Sequence, residues 1–385
     1  MEVDGKRVFV RVDFNVPQER ATGRITDDTR IRAAVPTISY LRDHHARVIL
    51  ASHLGRPKGQ RSQSLSLAPV AERLGELLGM PVDFAPECVG PAVEAKIAEI
   101  GPGEVILLEN LRFHAEEEAN DPIFAGQLAA LADVYVNDAF GTAHRAHAST
   151  EGIARLLPSA AGLLMEEEVR ALSGVLEHPA RPFTAIIGGA KISTKFGVLK
   201  HLLERVDSMI IGGGMANTFF AAQGHGVGSS MLEPDLVPVA RDLLRGARHQ
   251  KLLLPTDVVV TRDLSGAGET KTVPVDAVEA GWAIVDVGSE SIEQFGKRID
   301  SAGTVLWNGP MGIFEIPGFA AGTLAIAKRM ADTCAETIVG GGDSVAAIEQ
   351  MGLADRMSHV STGGGASLEF LEGIQLPGIA VLTSA

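Results

Sequence analysis

Short apolar runs alternate with longer amphipathic stretches along this chain. In the first half, four runs predict buried strands: Val8–Val12, Val48–Ala51, Val105–Leu108 and Val134–Val136. In the second half, the predicted strands are Thr184–Ile187, Met209–Ile211, Leu252–Leu254, Val258–Val260, Ile284–Val287, Val305–Trp307 and Ile338–Val339. Stretches with apolar residues at helical spacing, such as Ala68–Leu78, Phe124–Leu131 and Gly322–Met330, lie between these runs. This alternation is typical of α/β proteins built on parallel sheets.

One amphipathic stretch divides the chain into two halves. Leu163–Glu177 is rich in helix-forming residues and is followed by Pro179, which predicts a helix with a defined end. A chain of 385 residues is also too long for one ordinary core. We therefore predict two domains, 1–165 and 178–367, joined by a helix at 163–177. The alternative is that this helix lies inside a single domain, but the polar chemistry of the strand ends changes across it.

The composition excludes several classes of protein. The formal net charge of −14 argues against a general surface for nucleic acids or anionic membranes, because such surfaces need a broad positive field. No apolar run approaches the length of a membrane span, and the first residues do not resemble a signal peptide. Cys88 and Cys334 are far apart and do not form a metal-binding pair, which fits a reducing compartment. We expect a cytoplasmic protein without nucleic-acid or membrane partners.

Basic side chains follow the predicted strands of the first half. They fall in or beside the connecting loops and comprise Arg30, His53, Arg56, Arg112 and Arg145. Ligands of open α/β sheets bind at the carboxyl ends of the strands, and arginine binds carboxylate and phosphate through a planar fork. Any one of these arginines alone is better explained by a surface salt bridge. Several at strand ends together predict a site for a small polyanion.

The stretch Phe183–Lys195 predicts a different kind of site in the second half. A buried strand ends at Gly188-Gly189, and an apolar face at helical spacing follows from Lys191 onward. A glycine turn before a helix leaves backbone N–H groups free for a phosphate. Lys191 and Lys195 are four residues apart and are expected on one face of the first helical turn, where an anion would offset their repulsion from the helix dipole. The alternative is a solvated helix start with lysines that reach into water.

Two glycine runs near the end of the chain extend this pattern. Gly340-Gly341-Gly342-Asp343-Ser344 precedes a predicted helix at Val345–Met351. Backbone amides and the Ser344 hydroxyl suit phosphate, and the Asp343 carboxylate suits magnesium, which takes oxygen ligands. Ser361–Ser367 leads into another predicted helix start. A single glycine run is better explained as a tight turn.

The order of these motifs resembles that of the phosphoglycerate kinases. The matching segments are Val10–Pro17, Asp27–Ile31, Ser52–Gly59, Glu109–Phe113, Asn137–His147, Gly188–Lys195, Trp307–Glu315, Gly340–Ser344 and Ser361–Ser367. The resemblance covers nearly the whole chain and implies two Rossmann-like three-layer (αβα) parallel-sheet domains with a cleft between them. It also implies that the C-terminal segment, about 368–385, returns to the first domain and completes it.

The resemblance also implies roles for individual residues. The first domain is expected to bind 3-phosphoglycerate or 1,3-bisphosphoglycerate through Asp13, Asn15, Arg30, His53, Arg56, Arg112 and Arg145. The second is expected to bind ADP or ATP with Mg²⁺ through Gly188, Gly189, Lys195, Gly213, Gly214, Asn308, Glu315, Gly341, Gly342, Asp343 and Ser344, with Glu315 on the ribose and Asp343 on the metal. The residues expected at the transferring phosphoryl group are Arg30, Lys191, Gly364 and Gly365.

The chain departs from the family pattern at a few positions. Ser344 stands where threonine is more usual and keeps the hydroxyl group, whereas Ser229 stands where lysine is common. His44-His45 occupies a turn in which glycine is common. The chain begins close to its first strand, so we expect that its start lies upstream or has been trimmed.

The expected reaction is reversible phosphoryl transfer between 1,3-bisphosphoglycerate and ADP, by domain closure and charge stabilisation without a covalent intermediate. We expect a monomer. Two alternatives remain open: another carboxylate kinase on a similar fold, and a nucleotide-binding scaffold without turnover. A dinucleotide oxidoreductase is disfavoured because no Gly-x-Gly-x-x-Gly follows any predicted strand.

Overall fold

The computed structural model describes residues 1–19, 22–245 and 250–382. The chain forms two compact units. Unit 1 comprises Met1–Arg170 and Gln375–Ala385, and unit 2 comprises Ala171–Ile374. The division therefore falls between Arg170 and Ala171, and the return to unit 1 begins at Gln375. These limits differ from the predicted limits at 165, 178 and 368.

Unit 1 is built on a six-stranded sheet in which every neighbouring pair is parallel. Its strands are β1 (Arg7–Arg11), β2 (Arg47–Ala51), β3 (Asp83–Ala85), β4 (Val105–Leu108), β5 (Val134–Asn137) and β6 (Ser159–Ala161). They lie in the order β3-β4-β2-β1-β5-β6. The four predicted strands form the centre of this sheet. The two edge strands escaped prediction because neither Asp83-Phe84-Ala85 nor Ser159-Ala160-Ala161 contains the branched apolar residues that mark the predicted strands.

The helices of unit 1 cover both faces of this sheet. They are α1 (Thr29–Asp43), α2 (Ala68–Leu78), α3 (Pro91–Glu99), α4 (Ala115–Glu118) and α5 (Pro122–Ala129). Side chains alternate along each strand, so Val8 and Val10 join the core that contains α1 and α2. Phe9 joins the core that contains α3 and α5. A sheet buried on both faces explains why its strands appear as continuous apolar runs.

The predicted long helix is α6 (Leu163–Glu177), with the bounds that the sequence indicated. Its first turn is held by a buried carboxylate of unit 1, because Oδ1 of Asp138 accepts hydrogen bonds from the amides of Leu164 (3.0 Å) and Met165 (3.3 Å). Burial raises the pKa of Asp138 to about 7, and the hydrogen bonds from this helix start only partly oppose the shift. Gly162 is required beside it, because a Cβ there would lie 2.2 Å from Asp138 Oδ1.

The described residues of unit 2 form two sheets. The strands are β7 (Phe183–Ile187), β8 (Ser208–Ile211), β9 (Leu252–Leu253), β10 (Asp257–Thr261), β11 (Thr270–Pro274), β12 (Ala283–Val287), β13 (Thr304–Asn308), β14 (Glu336–Gly340) and β15 (His359–Val360). Six of them form a parallel sheet in the order β15-β14-β13-β7-β8-β9. The other three form an antiparallel sheet in the order β11-β10-β12.

The predicted parallel sheet of each unit is confirmed, and unit 2 also carries an antiparallel sheet that the sequence did not predict. Val258–Val260 and Ile284–Val287 are strands as predicted, but they pair with each other in antiparallel register. The strand that lies between them in the sequence, β11, is at the edge of this sheet. It alternates between exposed and half-buried residues and shows no apolar run. Apolar runs therefore identified β10 and β12 as strands. They could not show the strand direction, which depends on how the chain connects one strand to the next.

The helices of unit 2 are α7 (Phe196–Leu203), α8 (Met215–Gln223), α9 (Val237–Leu243), α10 (Ser289–Asp300), α11 (Ala321–Asp332), α12 (Gly342–Gln350) and α13 (Gly365–Leu371). Two predicted helix starts are wrong. The helix α7 begins at Phe196, so Lys191 lies in the preceding turn and Lys195 is the N-cap residue. Conversely, α12 begins at Gly342, which places Asp343 and Ser344 inside its first turn. A glycine-rich boundary left both starts undefined in the sequence.

The chain returns to unit 1 through a short helix, α14 (Pro377–Ala380). The amide of Gly378 donates to the oxygen of Ala143 (2.9 Å), and Nδ2 of Asn137 donates to the oxygen of Gly378 (3.1 Å). The segment that was expected to start this return, from Leu368, instead belongs to α13, which packs against α7 of unit 2. Among the described residues, none of the helices combines the length and apolar character needed to cross a membrane.

Candidate functional site

The carboxyl end of the unit 1 sheet gathers the predicted polyanion-binding residues. Asp13, which follows β1, accepts a hydrogen bond on Oδ2 from NH1 of Arg30 on α1 at 2.9 Å. Asn15 accepts a hydrogen bond on Oδ1 from the amide of Gly55 at 2.9 Å, which ties the loop after β1 to the loop after β2. These contacts place both loops and the start of α1 around one site.

Arg112 is the most deeply buried of the predicted arginines, with 3% of the residue exposed. Its NH1 donates to the oxygen of Gly55 at 2.8 Å, and its Nε lies 3.2 Å from Oε1 of Glu118. Its NH2 is buried and has no hydrogen-bond partner among the described residues. Burial lowers the pKa of Arg112 to about 10, and the nearby cations Arg145 and Arg11 add to the shift. A buried guanidinium with an unused donor is suited to an anionic ligand.

The remaining basic residues share this electrostatic environment. His53 is buried, and its pKa lies well below the ordinary value because of burial and the charges of Arg11, Arg112, Arg145 and Arg30. Arg145 is half-buried and donates from Nε to Nε2 of His144 at 3.2 Å. Arg56 is exposed beside Gly55, and within the described ranges no ion pair involves it. The structure therefore brings six of the seven predicted residues of the first half together, namely Asp13, Asn15, Arg30, His53, Arg112 and Arg145, and Arg56 adjoins them through its neighbour Gly55.

Arg11 was missed by the sequence analysis. It is the last residue of β1 and is fully buried. Its Nε donates to Oγ of Ser149 at 2.9 Å, and its NH2 lies 3.1 Å from Nδ1 of His53. A signal was available, because alternation places Arg11 on the same sheet face as Phe9, where an apolar residue is expected. A charged residue at an apolar position of a buried strand indicates a partner or a ligand.

Unit 2 contains a cavity of about 330 Å³ at the carboxyl ends of its strands. The predicted residues in its wall are Gly189, Gly213, Gly214, Glu315 and Asp343. Apolar side chains, including Phe220, Leu264 and Met311, form much of the remaining wall. This volume lies within the range of small-ligand pockets, and its mixed wall suits a ligand with one apolar and one charged part. The other predicted residues of this half adjoin the wall without forming it. They are Gly188, Lys195, Asn308, Gly341, Gly342 and Ser344.

The glycines beside the cavity allow three loops to pack closely. A Cβ at Gly188 would lie 2.1 Å from the oxygen of Pro310, and one at Gly213 would lie 2.6 Å from the amide nitrogen of Gly189. Gly213 also has a φ of +68°, which disfavours any side chain. Glycine is thus required at Gly188 and Gly213, because the loops after β7, β8 and β13 contact one another at these positions. Those contacts bring the backbone to the cavity.

Lys195 and Asn308 form a polar contact beside these loops. Nζ of Lys195 donates to the main-chain oxygen of Asn308 at 3.2 Å and also contacts its Oδ1. Burial lowers the pKa of Lys195 to about 8, although the Asp343 carboxylate acts in the opposite direction. Nδ2 of Asn308 is buried and has no partner among the described residues. A half-buried ammonium and an unused amide donor together favour an anionic group at this place.

The start of α12 adds a helix N-terminus to the site. Gly341 is its N-cap residue at a φ of +89°, and the exposed Asp343 lies in the first turn. Ser344 is buried, and its Oγ accepts a hydrogen bond from the amide of Gly309 at 2.6 Å. The Ser344 hydroxyl therefore anchors the loop after β13, a role that the sequence did not indicate. The first amides of the helix have no partner within it.

Lys191, Gly364 and Gly365 occupy separate positions in unit 2. Lys191 is exposed, and its main-chain oxygen accepts a hydrogen bond from Oγ1 of Thr194 at 3.0 Å. Gly364 has a φ of +45° and open space where a Cβ would be, and Gly365 begins α13. These three follow β7 and β15, at the same end of the parallel sheet as the other predicted residues.

The antiparallel sheet supplies part of the cavity wall that the sequence did not predict. Val258 on β10 and Ile284 and Asp286 on β12 line the cavity. Asp286 is buried and accepts hydrogen bonds from the amides of Val287 (2.9 Å) and Gly322 (2.8 Å). Burial raises its pKa to about 7. The signal was weak, because an aspartate inside an apolar strand does not reveal which strands it faces.

Comparisons with known proteins identify relatives over nearly the whole chain. The family model described as "Phosphoglycerate kinase" matches residues 1–374. The chain is 58% identical over 385 residues to the phosphoglycerate kinase of Moorella thermoacetica, covering 100% of this chain and 98% of the relative. The corresponding protein of Roseiflexus castenholzii is 59% identical over 385 residues, with 99% and 97% covered.

Solved structures agree as well. The phosphoglycerate kinase of Coxiella burnetii superposes with a TM-score of 0.91 at 43% identity, covering 100% of this chain and 97% of that chain. The enzyme of Pyrococcus horikoshii gives a TM-score of 0.86 at 34% identity, with 100% and 97% covered. With a family model over most of its length and relatives close to 60% identical, this chain belongs to the phosphoglycerate kinase family.

Proposed function

We propose that this chain transfers the acyl phosphate of 1,3-bisphosphoglycerate to ADP, reversibly, and thereby forms 3-phosphoglycerate and ATP. The observation that carries this proposal is the pairing of two unlike anion sites in one chain. Unit 1 holds buried and half-buried arginines at its strand ends, and unit 2 holds a glycine-lined cavity beside Lys195. Two substrates of different chemistry match two such sites.

The acid substrate is assigned to unit 1. Its phosphate and carboxylate oxygens would be bound by Arg112, Arg145 and Arg56, whose guanidinium groups offer several donors each. Asp13 and Asn15 would position a hydroxyl group, because Asp13 accepts hydrogen bonds and the Asn15 amide both donates and accepts them. Support comes from the free NH2 of Arg112, a buried donor that a ligand oxygen would satisfy.

The nucleotide is assigned to unit 2. Its base and ribose would lie in the cavity, with Glu315 on the ribose hydroxyls, and its phosphates would lie toward Lys195, Gly213-Gly214 and the start of α12. Lys195 supports this orientation, because burial of its charge costs free energy that an anion would offset. The unpartnered Nδ2 of Asn308 is a second donor for a phosphate oxygen.

Magnesium is assigned to Asp343. The exposed carboxylate stands in the cavity wall, and Mg²⁺ is commonly held by one or two carboxylates together with phosphate oxygens and water. When bound, the ion would neutralise charge on the nucleotide phosphates. The donor set therefore fits the ion that this reaction requires.

The transfer itself needs positioning and charge neutralisation more than a protein nucleophile. In the direction of ATP use, a carboxylate oxygen of 3-phosphoglycerate forms a bond to the γ-phosphorus while the bond to the ADP oxygen breaks. Arg30, Lys191 and the amides of Gly364 and Gly365 would stabilise the charge of the phosphoryl group in flight. The reacting atoms must come within about 3–3.5 Å. The approach of the two units that this distance requires stays a prediction of the resemblance.

We further propose that the protein is a cytoplasmic monomer that acts on these small molecules alone. The net charge of −14 disfavours association with nucleic acids or anionic membranes. Sedimentation of the purified chain with and without substrates tests the oligomeric part of this proposal, which a stable dimer would contradict.

An assay with omitted components tests the proposed reaction. We expect the purified protein to form ADP only when 3-phosphoglycerate, ATP and Mg²⁺ are all present. A nucleotide-binding scaffold would bind ATP without forming ADP. Another carboxylate kinase would turn over with a different acid, and 3-phosphoglycerate would then be inactive or inhibitory.

A further inference from the structure

We infer that Arg11 is a positioning residue that holds His53 as the neutral tautomer with its hydrogen on Nε2. Arg11 is buried at the end of β1, and its NH2 lies 3.1 Å from Nδ1 of His53, within hydrogen-bond distance. A guanidinium group only donates hydrogen bonds and stays charged. The Nδ1 atom must therefore accept, and the one hydrogen of a neutral ring must sit on Nε2.

A buried network keeps Arg11 in this position. Its Nε donates to Oγ of Ser149 at 2.9 Å, and a second guanidinium nitrogen contacts the main-chain oxygen of Val12. Oγ of Ser149 in turn donates to Oε1 of Glu117 at 2.6 Å, and its amide donates to Oε2 at 3.0 Å. Glu117 is fully buried, and its carboxylate is the negative counterpart of the Arg11 charge. Each donor nitrogen of Arg11 thus has a partner, and these contacts fix the guanidinium group so that NH2 points at His53.

The other groups that face His53 favour the same state. Oδ1 of Asp13 is the neighbouring anion that would favour a hydrogen on Nδ1, but it lies 3.9 Å from that atom, too far for a hydrogen bond. Arg30 on α1, Arg112 after β4 and Arg145 after β5 add positive charge around the ring. These cations and the burial of the ring keep the pKa of His53 well below its ordinary value. A charged imidazolium is therefore disfavoured, and Arg11 decides between the two neutral forms.

The consequence for binding rests on the proposed function. If the acid substrate occupies unit 1, His53 offers it an N–H donor on Nε2 but no positive charge. The ring should then offer the same neutral N–H donor across the neutral pH range, because burial and the surrounding arginines disfavour a second proton. A histidine without the Arg11 contact would exchange between both tautomers and would present a lone pair for part of the time.

Nitrogen chemical shifts of the histidine rings test the tautomer directly and need no substrate. In the uniformly ¹⁵N-labelled full chain, His53 is assigned by the signals that disappear in His53→Gln. We expect an unprotonated Nδ1 and a protonated Nε2 at all pH values between about 6 and 8. A hydrogen on Nδ1, or a ring that becomes charged with an ordinary pKa, would overturn the inference even if the protein turns over normally.

Variants of Arg11 separate positioning from a purely structural role. Arg11→Met should release His53, which then exchanges tautomers, and should raise the KM for 3-phosphoglycerate roughly fivefold to tenfold, the loss of about one hydrogen bond. The KM for ATP should stay within about twofold of the original value. Arg11→Lys should restore part of the affinity and the Nε2–H form. An unchanged His53 spectrum in Arg11→Met would contradict the inference.

Arg7→Met is the matched control. Arg7 lies on the same strand, and its guanidinium pairs with Asp133 at the surface and not with His53. It should change neither the His53 spectrum nor either KM. If Arg11→Met does not fold, the wild-type spectrum and Arg11→Lys still decide the matter. An Nε2–H ring in a protein that shows no turnover would reject the proposed function and leave the assignment of the tautomer standing.

Discussion

Nζ of Lys195 lies 3.2 Å from the main-chain oxygen of Asn308, so that the N-cap residue of α7 reaches the last residue of β13. The contact holds a half-buried ammonium group next to the glycine loops of unit 2. The Asp343 carboxylate at the start of α12 is a countercharge that favours the charged form of this lysine. A half-buried cation without a full ion pair is suited to bind an anionic ligand.

Nucleotide affinity should therefore depend on the charge of Lys195. Burial lowers its pKa to about 8, so the free protein loses this charge as the pH rises through about 8. A bound phosphate favours the charged form, and ADP binding above pH 8 should therefore take up a proton. We expect affinity for ADP to fall between about pH 8 and 10, as measured by calorimetry in buffers of different ionisation enthalpy. Lys195→Met should bind ADP more weakly at pH 7 and should lose this pH dependence.

Lys191 should behave differently from Lys195. It is exposed in the turn before α7, and a contact made only with the transferring phosphoryl group would belong to the transition state. Lys191→Ala is expected to lower kcat at least about a hundredfold and to leave the Kd for ADP within about twofold. Lys200→Ala, an exposed lysine on α7, is the control and should keep kcat. A near-normal kcat in Lys191→Ala would remove this residue from the transfer step.

Arg145 should affect one substrate alone. Its guanidinium belongs to the basic cluster around His53 in unit 1, so Arg145→Ala removes a charged donor from the acid site. Loss of one charged hydrogen bond predicts a KM for 3-phosphoglycerate that rises roughly tenfold to a hundredfold, with the KM for ATP nearly unchanged. Arg155→Ala, which removes an exposed arginine paired with Glu151, should change neither value. Equal increases in both KM values for Arg145→Ala would reject the division into two sites.

The stability of unit 1 should respond to pH through Asp138. Burial raises its pKa to about 7, above the ordinary value of 3.8, so the folded state keeps a proton that the unfolded chain releases above pH 4. The stabilisation from this proton is complete below pH 4 and is lost as the pH rises through 7. Asp138→Asn keeps the neutral shape and an acceptor for the α6 amides. Its free energy of unfolding relative to the wild type should therefore increase from pH 5 to pH 8, measured with urea.

Asp133→Asn is the control for this measurement. Arg7 lowers the pKa of Asp133, so its contribution is already complete above the ordinary value and is lost only in acid. The free-energy difference for Asp133→Asn should be nearly constant from pH 5 to pH 8. A constant difference for Asp138→Asn as well would show that the carboxyl of Asp138 does not titrate in this range.

The sequence predicted the centre of each sheet and the edge strands β9 and β12, but it missed the edge strands β3, β6, β11 and β15. Val105–Leu108 lies between covered faces, so burial on both sides produces an apolar run that can be recognised without the structure. Asp83–Ala85 and His359–Val360 are short and partly exposed, and their strand form depends on one neighbour each. The antiparallel pairing of β10 and β12 was also out of reach, because strand direction is set by connections rather than by composition.

The site was predictable where its chemistry follows a strand. Arg112 and Asn308 stand at strand ends, and a parallel sheet brings such ends together whatever the rest of the chain does. Arg11 and Asp286 lie within strands, where periodicity reports burial but not the partner across the fold. Ser344 shows the same limit, since its residue type fits both a phosphate contact and the hydrogen bond to Gly309 that the structure contains.

Trapping of the acyl phosphate tests the central proposal most directly. Hydroxylamine attacks an acyl phosphate at its carbonyl carbon, releases phosphate and leaves a hydroxamate of the acid. With purified protein, ATP, Mg²⁺, 3-phosphoglycerate and hydroxylamine, we expect one glyceryl hydroxamate phosphate for each ADP formed, and none when the acid or the protein is omitted. ADP that appears with inorganic phosphate but without the hydroxamate, or hydroxamate formed only with a different acid, would contradict the account.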